Sequence, residues 1–122
     1  MARVLLVEDE QSAAEVLATI LRLEGFSVTL AANGKRAIDM LGDAQPELII
    51  TDYMMPIMNG IELARALRAM PEYMAVPILM ISGVPEEALG ADRSLLSAFL
   101  RKPFHVEALL DTLGRVVSAG AP

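Results

Sequence analysis

The sequence predicts an α/β protein built on a five-stranded, doubly wound parallel sheet with helices on both faces. Three observations carry that expectation. Short runs of Val, Leu and Ile recur without a polar alternate face, as strands buried on both sides require. Stretches with helical apolar spacing separate those runs. The chain has 122 residues, 54% of them hydrophobic, which is enough for one domain with a sizeable core and too little for two.

The first strand is read over Val4–Val7. A helix follows, because Ala13, Val16, Leu17, Ile20 and Leu21 share one face and Gly25 supplies the stop. Ser27–Ala31 is the second strand, followed by a helical stripe at Ala37, Ile38 and Leu41 that Gly42 closes. Leu48–Thr51 is the third strand, and the helix after it carries Leu63, Ala64, Leu67 and Met70 and ends at Pro71. Ile78–Ile81 is the fourth strand and Ala98–Leu100 a weaker fifth. Between these two, Pro85-Glu-Glu-Ala-Leu-Gly90 holds barely one helical turn, so the fourth helix is expected to be short or irregular. Leu89, Leu95 and Leu96 then either face solvent as contacts or pack beneath that segment. Val106, Leu109, Leu110, Leu113, Val116 and Val117 define the last helix, and 118–122 reads as a flexible tail beyond a unit of residues 3–117.

Composition excludes several classes of function. Ten basic against sixteen acidic residues leave a net charge of −6, which repels phosphate backbones and argues against direct nucleic-acid binding. The mean hydropathy is high at +0.46, yet every apolar run is far shorter than the ~20 residues of a membrane span. The absence of cysteine removes thiolate metal sites and disulfide frameworks. It fits a reducing compartment, and the first residues lack the features of an export signal, so a cytoplasmic location is expected.

In an open parallel sheet, ligands bind at the carboxyl ends of the strands. Those ends are polar here: Glu8-Asp9-Glu10 after the first strand, Asp52 after the third, Ser82 after the fourth and Lys102 after the fifth. If the first and third strands are neighbours, Glu8, Asp9 and Asp52 crowd together and need a cation. An all-oxygen set suits Mg²⁺, and Lys102 adds a charge that can meet a phosphate. Each residue alone has a plainer reading, Glu8 and Asp9 as helix caps and Lys102 as a solvated charge. Acid pair, single Asp, hydroxyl and Lys, each at the end of a different strand in that order, would seldom arise by chance.

These residues resemble the receiver domain of two-component response regulators, a flavodoxin-like fold, from Arg3 to Val117. The resemblance rests on Val4-Leu-Leu-Val-Glu-Asp9, Asp52-Tyr-Met-Met-Pro-Ile-Met-Asn-Gly60, Ile81-Ser-Gly83 and Phe99-Leu-Arg-Lys-Pro-Phe104. It implies that Asp52 is the phosphoacceptor and that Asp9, Asp52 and the Met54 carbonyl hold Mg²⁺, with Glu8 acting through water. It further implies that Lys102 pairs with the carboxylate or phosphoryl group, that Ser82 closes onto the phosphoryl and that Phe99 is a rotating switch aromatic. A cis Lys102–Pro103 peptide is also implied. The implied partners are a sensor histidine kinase or histidine phosphotransfer protein, and a downstream protein target. Docking is expected on the first helix, through Ala13, Ala14 and Leu17, and on the Pro103-Phe104-His105 turn. The chain is expected to work as a monomer or a phosphorylation-dependent dimer, as a phosphoacceptor rather than an enzyme.

The chemistry can be argued independently. A carboxylate is already ionised at neutral pH, so Asp52 needs no general base to attack phosphorus. His105, the single histidine, is read as a surface or docking residue. Met54, Met55 and Met58 are read as filling core and loop, and Asn59-Gly60 as the turn that opens the next helix. The chain departs from the family in its short Ser82–Lys102 spacing and in carrying Ser for Thr at 82. Met54 and Val84 flank the pocket where polar groups are common, which predicts a long-lived acyl phosphate. Two other functions fit less well. A phosphohydrolase of the aspartyl-phosphate type needs a second acid two residues after the nucleophile, where Met54 stands, and a phosphate-independent binding module leaves the acid–lysine set unexplained.

Overall fold

Alternation within each strand decides the layers. Five strands, β1 (Arg3–Val7), β2 (Ser27–Ala31), β3 (Leu48–Asp52), β4 (Ile78–Ser82) and β5 (Ala98–Arg101), run with four helices between and after them. The helices are α1 (Gln11–Leu23), α2 (Gly34–Ala44), α3 (Gly60–Arg68) and α4 (Val106–Gly120), and a 3₁₀ segment at Glu86–Leu95 joins β4 to β5. The computed structural model describes residues 2–120, with side chains as far as Val117. All strands pair in parallel in the order β2-β1-β3-β4-β5, and each lies within one residue of the bounds read from sequence. The connection after β1 crosses to β2 on one side and the connection after β3 crosses to β4 on the other, which opens a crevice at the carboxyl ends of β1 and β3.

One set of strand residues, including Leu5, Val7, Ile49, Ile78 and Met80, packs under α2, α3 and the 3₁₀ segment. The alternate set, Val4, Leu6, Leu48, Ile50, Leu79 and Ile81, packs under α1 and α4. Burying each such aliphatic side chain stabilises the fold by about 1.5–3 kcal/mol before the entropy of ordering is subtracted.

The helical segments correct or decide four expectations. Helix α1 buries Ala14, Ala18 and Leu21, while Val16 is 63% exposed, so its inner face is rotated from the one read at 13, 16, 17, 20 and 21. Small alanines let the helix lie close to the sheet, and the larger Leu17 and Ile20 border that contact. Helix α2 continues through Gly42 to Ala44 and ends where Gln45 adopts a left-handed conformation, φ 43°. Glycine lowers helix propensity by about 1 kcal/mol but does not by itself stop a helix. Leu89 and Leu96 are buried, which excludes them as exposed contacts, and Leu95 packs partly buried beside them. Helix α4 runs to Gly120, past the expected start of a tail at 118, and 121–122 lie outside the described residues.

The fourth helical segment is irregular, as expected. Gly90, at φ 55° and ψ −132°, breaks it into two pieces. It is fastened to α3 by an Arg65–Asp92 ion pair at 2.8 Å and by Arg68 Nε donating to the Leu95 carbonyl at 3.0 Å.

Candidate functional site

Strand register brings the polar ends to one level. Val7 pairs with Thr51 and Asp52 with Ile81, so Glu8 and Asp52 emerge side by side from neighbouring strands. Ser82 pairs with Arg101, which sets Lys102 one residue beyond β5. The Lys102 backbone N–H donates to the Ser82 carbonyl at 2.8 Å, and the Lys102–Pro103 peptide is cis.

Carboxylate oxygens of Glu8, Asp9 and Asp52 lie within 4.8 Å of one another. The Glu8 and Asp52 side chains are only 8% and 14% exposed. At such spacing and burial, like charges repel strongly. Lys102 Nζ partly offsets them, donating to Asp52 Oδ2 at 2.9 Å and to Glu8 Oε1 at 3.4 Å. Burial, followed by the hydrogen bond and the negative charge of Asp52, pushes the Glu8 carboxyl up to about 7. Burial works against the charge of Lys102, but Asp52 and Glu8 outweigh it and hold the ammonium above its ordinary pKa. One ammonium against three carboxylates leaves the cluster short of positive charge. Its donors are all hard oxygens, the set that a small divalent cation such as Mg²⁺ prefers.

Local structure fixes each carboxylate. Glu10, rather than Glu8 or Asp9, caps α1, accepting from the Ser12 N–H at 3.2 Å and the Ala13 N–H at 2.6 Å. That corrects the capping alternative by one or two residues and leaves Glu8 and Asp9 to the cluster. The Tyr53 N–H donates to Asp52 Oδ1 at 2.7 Å, so one oxygen is tied to the main chain while the other meets Lys102. Beyond Asp52 the loop turns tightly, with the Met58 N–H donating to the Pro56 carbonyl at 2.8 Å across Ile57, whose φ is 72°. This γ-turn on a β-branched residue is strained, and nothing in the residue types signals it. Asn59 then opens α3 in a capping box with Glu62, as the turn reading expects.

The remaining predicted residues are placed differently. Ser82 is fully buried, and its hydroxyl oxygen accepts from the Val84 N–H at 2.9 Å. Met54 is 64% exposed on the loop and so fills no core, whereas Met55 and Met58 do pack against it. Phe99 is not gathered into the cluster. It lies in β5 opposite Met80, half-buried against the α2–α3 side of the sheet. His105 is exposed just before α4. Of the docking residues read on α1, Ala13 is exposed and Leu17 half-buried, but Ala14 is buried and faces inward.

Known proteins share this fold and much of this sequence. Residues 4–114 match the model of the response regulator receiver domain. The response regulator MprA of Mycolicibacterium vanbaalenii is 32% identical over 98% of this chain and 52% of its own length. The chain thus spans about half the length of the curated relatives it matches. The chemotaxis protein CheY4 of Vibrio cholerae superposes with a TM-score of 0.87 at 36% identity, over 95% of this chain and 98% of that one. A signal receiver domain of a histidine kinase from Syntrophus aciditrophicus gives 0.86 at 31% identity, covering 98% and 92%. Sheet order, acidic crevice and sequence all lead to one conclusion: the chain belongs to the response regulator receiver domain family, the regulatory phosphoacceptors of two-component signalling.

Proposed function

We propose that Asp52 is the residue that takes the phosphoryl group, from a phosphohistidine on a sensor kinase or a phosphotransfer protein. The observation that supports this most is Lys102 Nζ at 2.9 Å from Asp52, within a cluster of three carboxylates at the reversal point of the sheet. A lone pair on the Asp52 carboxylate attacks phosphorus, the P–N bond breaks, and its electrons return to the imidazole nitrogen. Tyr53 N–H restrains one Asp52 oxygen, which limits the directions from which the other can attack in line. Lys102 moves from a carboxylate partner to a phosphoryl oxygen as charge shifts outward. Asp9, Asp52 and the Met54 carbonyl would hold Mg²⁺, with Glu8 through water, and the ion would supply the charge that neutralises the transferring oxygens. To meet the phosphoryl, the Ser82 hydroxyl donates to it, and Phe99 turns as the segment after β4 adjusts.

Residues 3–117 act as one receiver unit in the cytoplasm, as a monomer or a phosphorylation-dependent dimer. The signal passes to a protein target rather than to nucleic acid, in keeping with a net charge of −6. Kinase docking uses Ala13 and Leu17 with the Pro103–His105 turn. Intact mass after incubation with Mg²⁺ and a small phosphodonor tests the reading. One phosphoryl group is gained by the native chain and by neither Asp52→Ala nor a chelated sample; gain by Asp52→Ala refutes the assignment. Met54 is exposed and Val84 half-buried, and neither side chain can orient an attacking water, so the acyl phosphate persists for minutes or longer. Decay within seconds at neutral pH contradicts this.

A further inference from the structure

We infer that the apolar cavity between α1 and α4 is a binding site for small amphiphilic amines, with the ammonium head at the carboxylate cluster and the hydrocarbon tail in the cavity. The cavity measures about 460 Å³, within the range of small-molecule sites. It exists because α1 packs on β1 and β2 while α4 packs on β5, which leaves the layer above β3 thinly covered. Its floor is Leu6, Ile50 and Ile81, all at least 97% buried. Leu17, Ile20 and Phe104 border it, and α1 offers Ser12 and Ala13 there, side chains too small to fill it. Val16 and Val106, 63% and 46% exposed, form apolar lips where solvent-facing residues are ordinarily polar.

At its inner end the cavity meets Glu8, Asp52 and Lys102. Charge decides the head group. With Asp9 alongside, three carboxylates face one ammonium, so a cation is attracted and a carboxylate repelled. A primary ammonium presents three N–H donors to those oxygens, while its chain removes apolar wall from water. The amine and a divalent cation draw on the same carboxylates, so each excludes the other. Only that competition rests on the cation site proposed above, because binding itself is read with no phosphodonor present.

The test is a titration of the metal-free full chain with hexylamine, followed by ¹H–¹⁵N correlation spectra, beside methylamine, hexanol and hexanoate. Hexylamine is expected to shift the amides of Ala13, Leu17, Ile81 and Phe104, and to bind at least about tenfold more tightly than each control. Millimolar Mg²⁺ weakens it severalfold. The double variant Val16→Ser, Val106→Ser, which alters only exposed lips, weakens hexylamine by about threefold or more. Equal binding of hexanoate would assign the site to anions at Lys102, and equal binding of hexanol would mark an undirected face of the kind a partner protein covers. Equal binding of methylamine would leave the cavity without a part. Any of these results, or an absence of shifts around the cavity, overturns the proposal. Mg²⁺ that shifts Asp9 and Asp52 without weakening hexylamine overturns the shared head-group site. If Mg²⁺ shifts nothing while hexylamine still binds, the cation site fails and the amine site stands.

Discussion

A Cβ placed on Gly60 would collide with the Asp52 carbonyl oxygen and come within 2.8 Å of the Met80 methyl carbon. The first of these partners is main chain and cannot swing aside, so Asp52 itself would have to move. Gly34 is similarly confined: a Cβ there would lie 2.8 Å from the Met58 carbonyl oxygen, to which the Gly34 N–H donates at 3.2 Å, so the loop is gripped at both ends. Gly60→Ala is therefore expected to lower stability by about 1–3 kcal/mol, the usual cost of overpacking a filled interior. It should also slow phosphoryl gain on Asp52, because the carboxylate leaves its place beside Lys102. Urea unfolding and the rate of mass gain measure the two effects. A loss under about 0.5 kcal/mol with an unchanged rate would show that the loop yields at no cost.

Among the elements, the 3₁₀ segment depends on its neighbours more than on its own residues. Gly90 prevents a continuous helix, and its register is set by Leu89 and Leu96, buried against α3 and the sheet. Arg68 completes the attachment, donating to the carbonyls of Leu95, Tyr73, Met74 and Val76 at 2.6–3.3 Å. Burial lowers the pKa of that guanidinium from its ordinary value, a sign of how far it is drawn into the protein. Arg68→Ala is expected to cost about 2–3 kcal/mol, since carbonyls lose a charged donor, and Arg68→Lys to recover only part of it. Hydrogen exchange should rise at 69–76 and 86–97 while Asp52 still accepts a phosphoryl group. Unchanged exchange there would show that Arg68 does not hold the segment in place. The same contrast explains what sequence could and could not disclose about the elements. Strands buried on both faces are continuous apolar runs, legible without knowledge of their partners. Spacing misplaces the inner face of α1 because it weighs Val16 and Leu17 above alanine, whereas close packing on a sheet selects Ala14 and Ala18. The end of α2 is hidden from sequence because Gln45, a residue with no turn signature, takes the left-handed conformation.

Across the whole molecule, the site is made by topology. Lys102 stands 50 residues from Asp52 and 94 from Glu8 in sequence, and only the order β2-β1-β3-β4-β5 sets them 2.9 and 3.4 Å apart. The acids, the hydroxyl, the lysine and the need for a cation were legible from the strand ends; the shift of capping to Glu10 and the burial that raises Glu8 became visible only with the fold. That burial makes global stability depend on pH. Glu8 faces Asp9 and Asp52 on one side and Lys102 on the other, and its carboxyl lies near 7 against an ordinary 4.5. Between those two values the folded chain holds more protons than the unfolded chain. Metal-free stability therefore falls as pH rises from about 4.5 through 7, and levels off above. A divalent cation must displace the same proton, so its affinity increases across that window. Binding then restores stability by mass action, by about 2.7 kcal/mol at a hundredfold excess over Kd. Thermal melts from pH 5 to 8, with chelator and with Mg²⁺, measure both curves. Glu8→Gln, which cannot ionise, should flatten the chelated curve and leave the protein more stable than the native chain at the alkaline end. A chelated curve that climbs between pH 5 and 7, or one that Glu8→Gln leaves unchanged, would remove Glu8 as the group that couples the crevice to the stability of the fold.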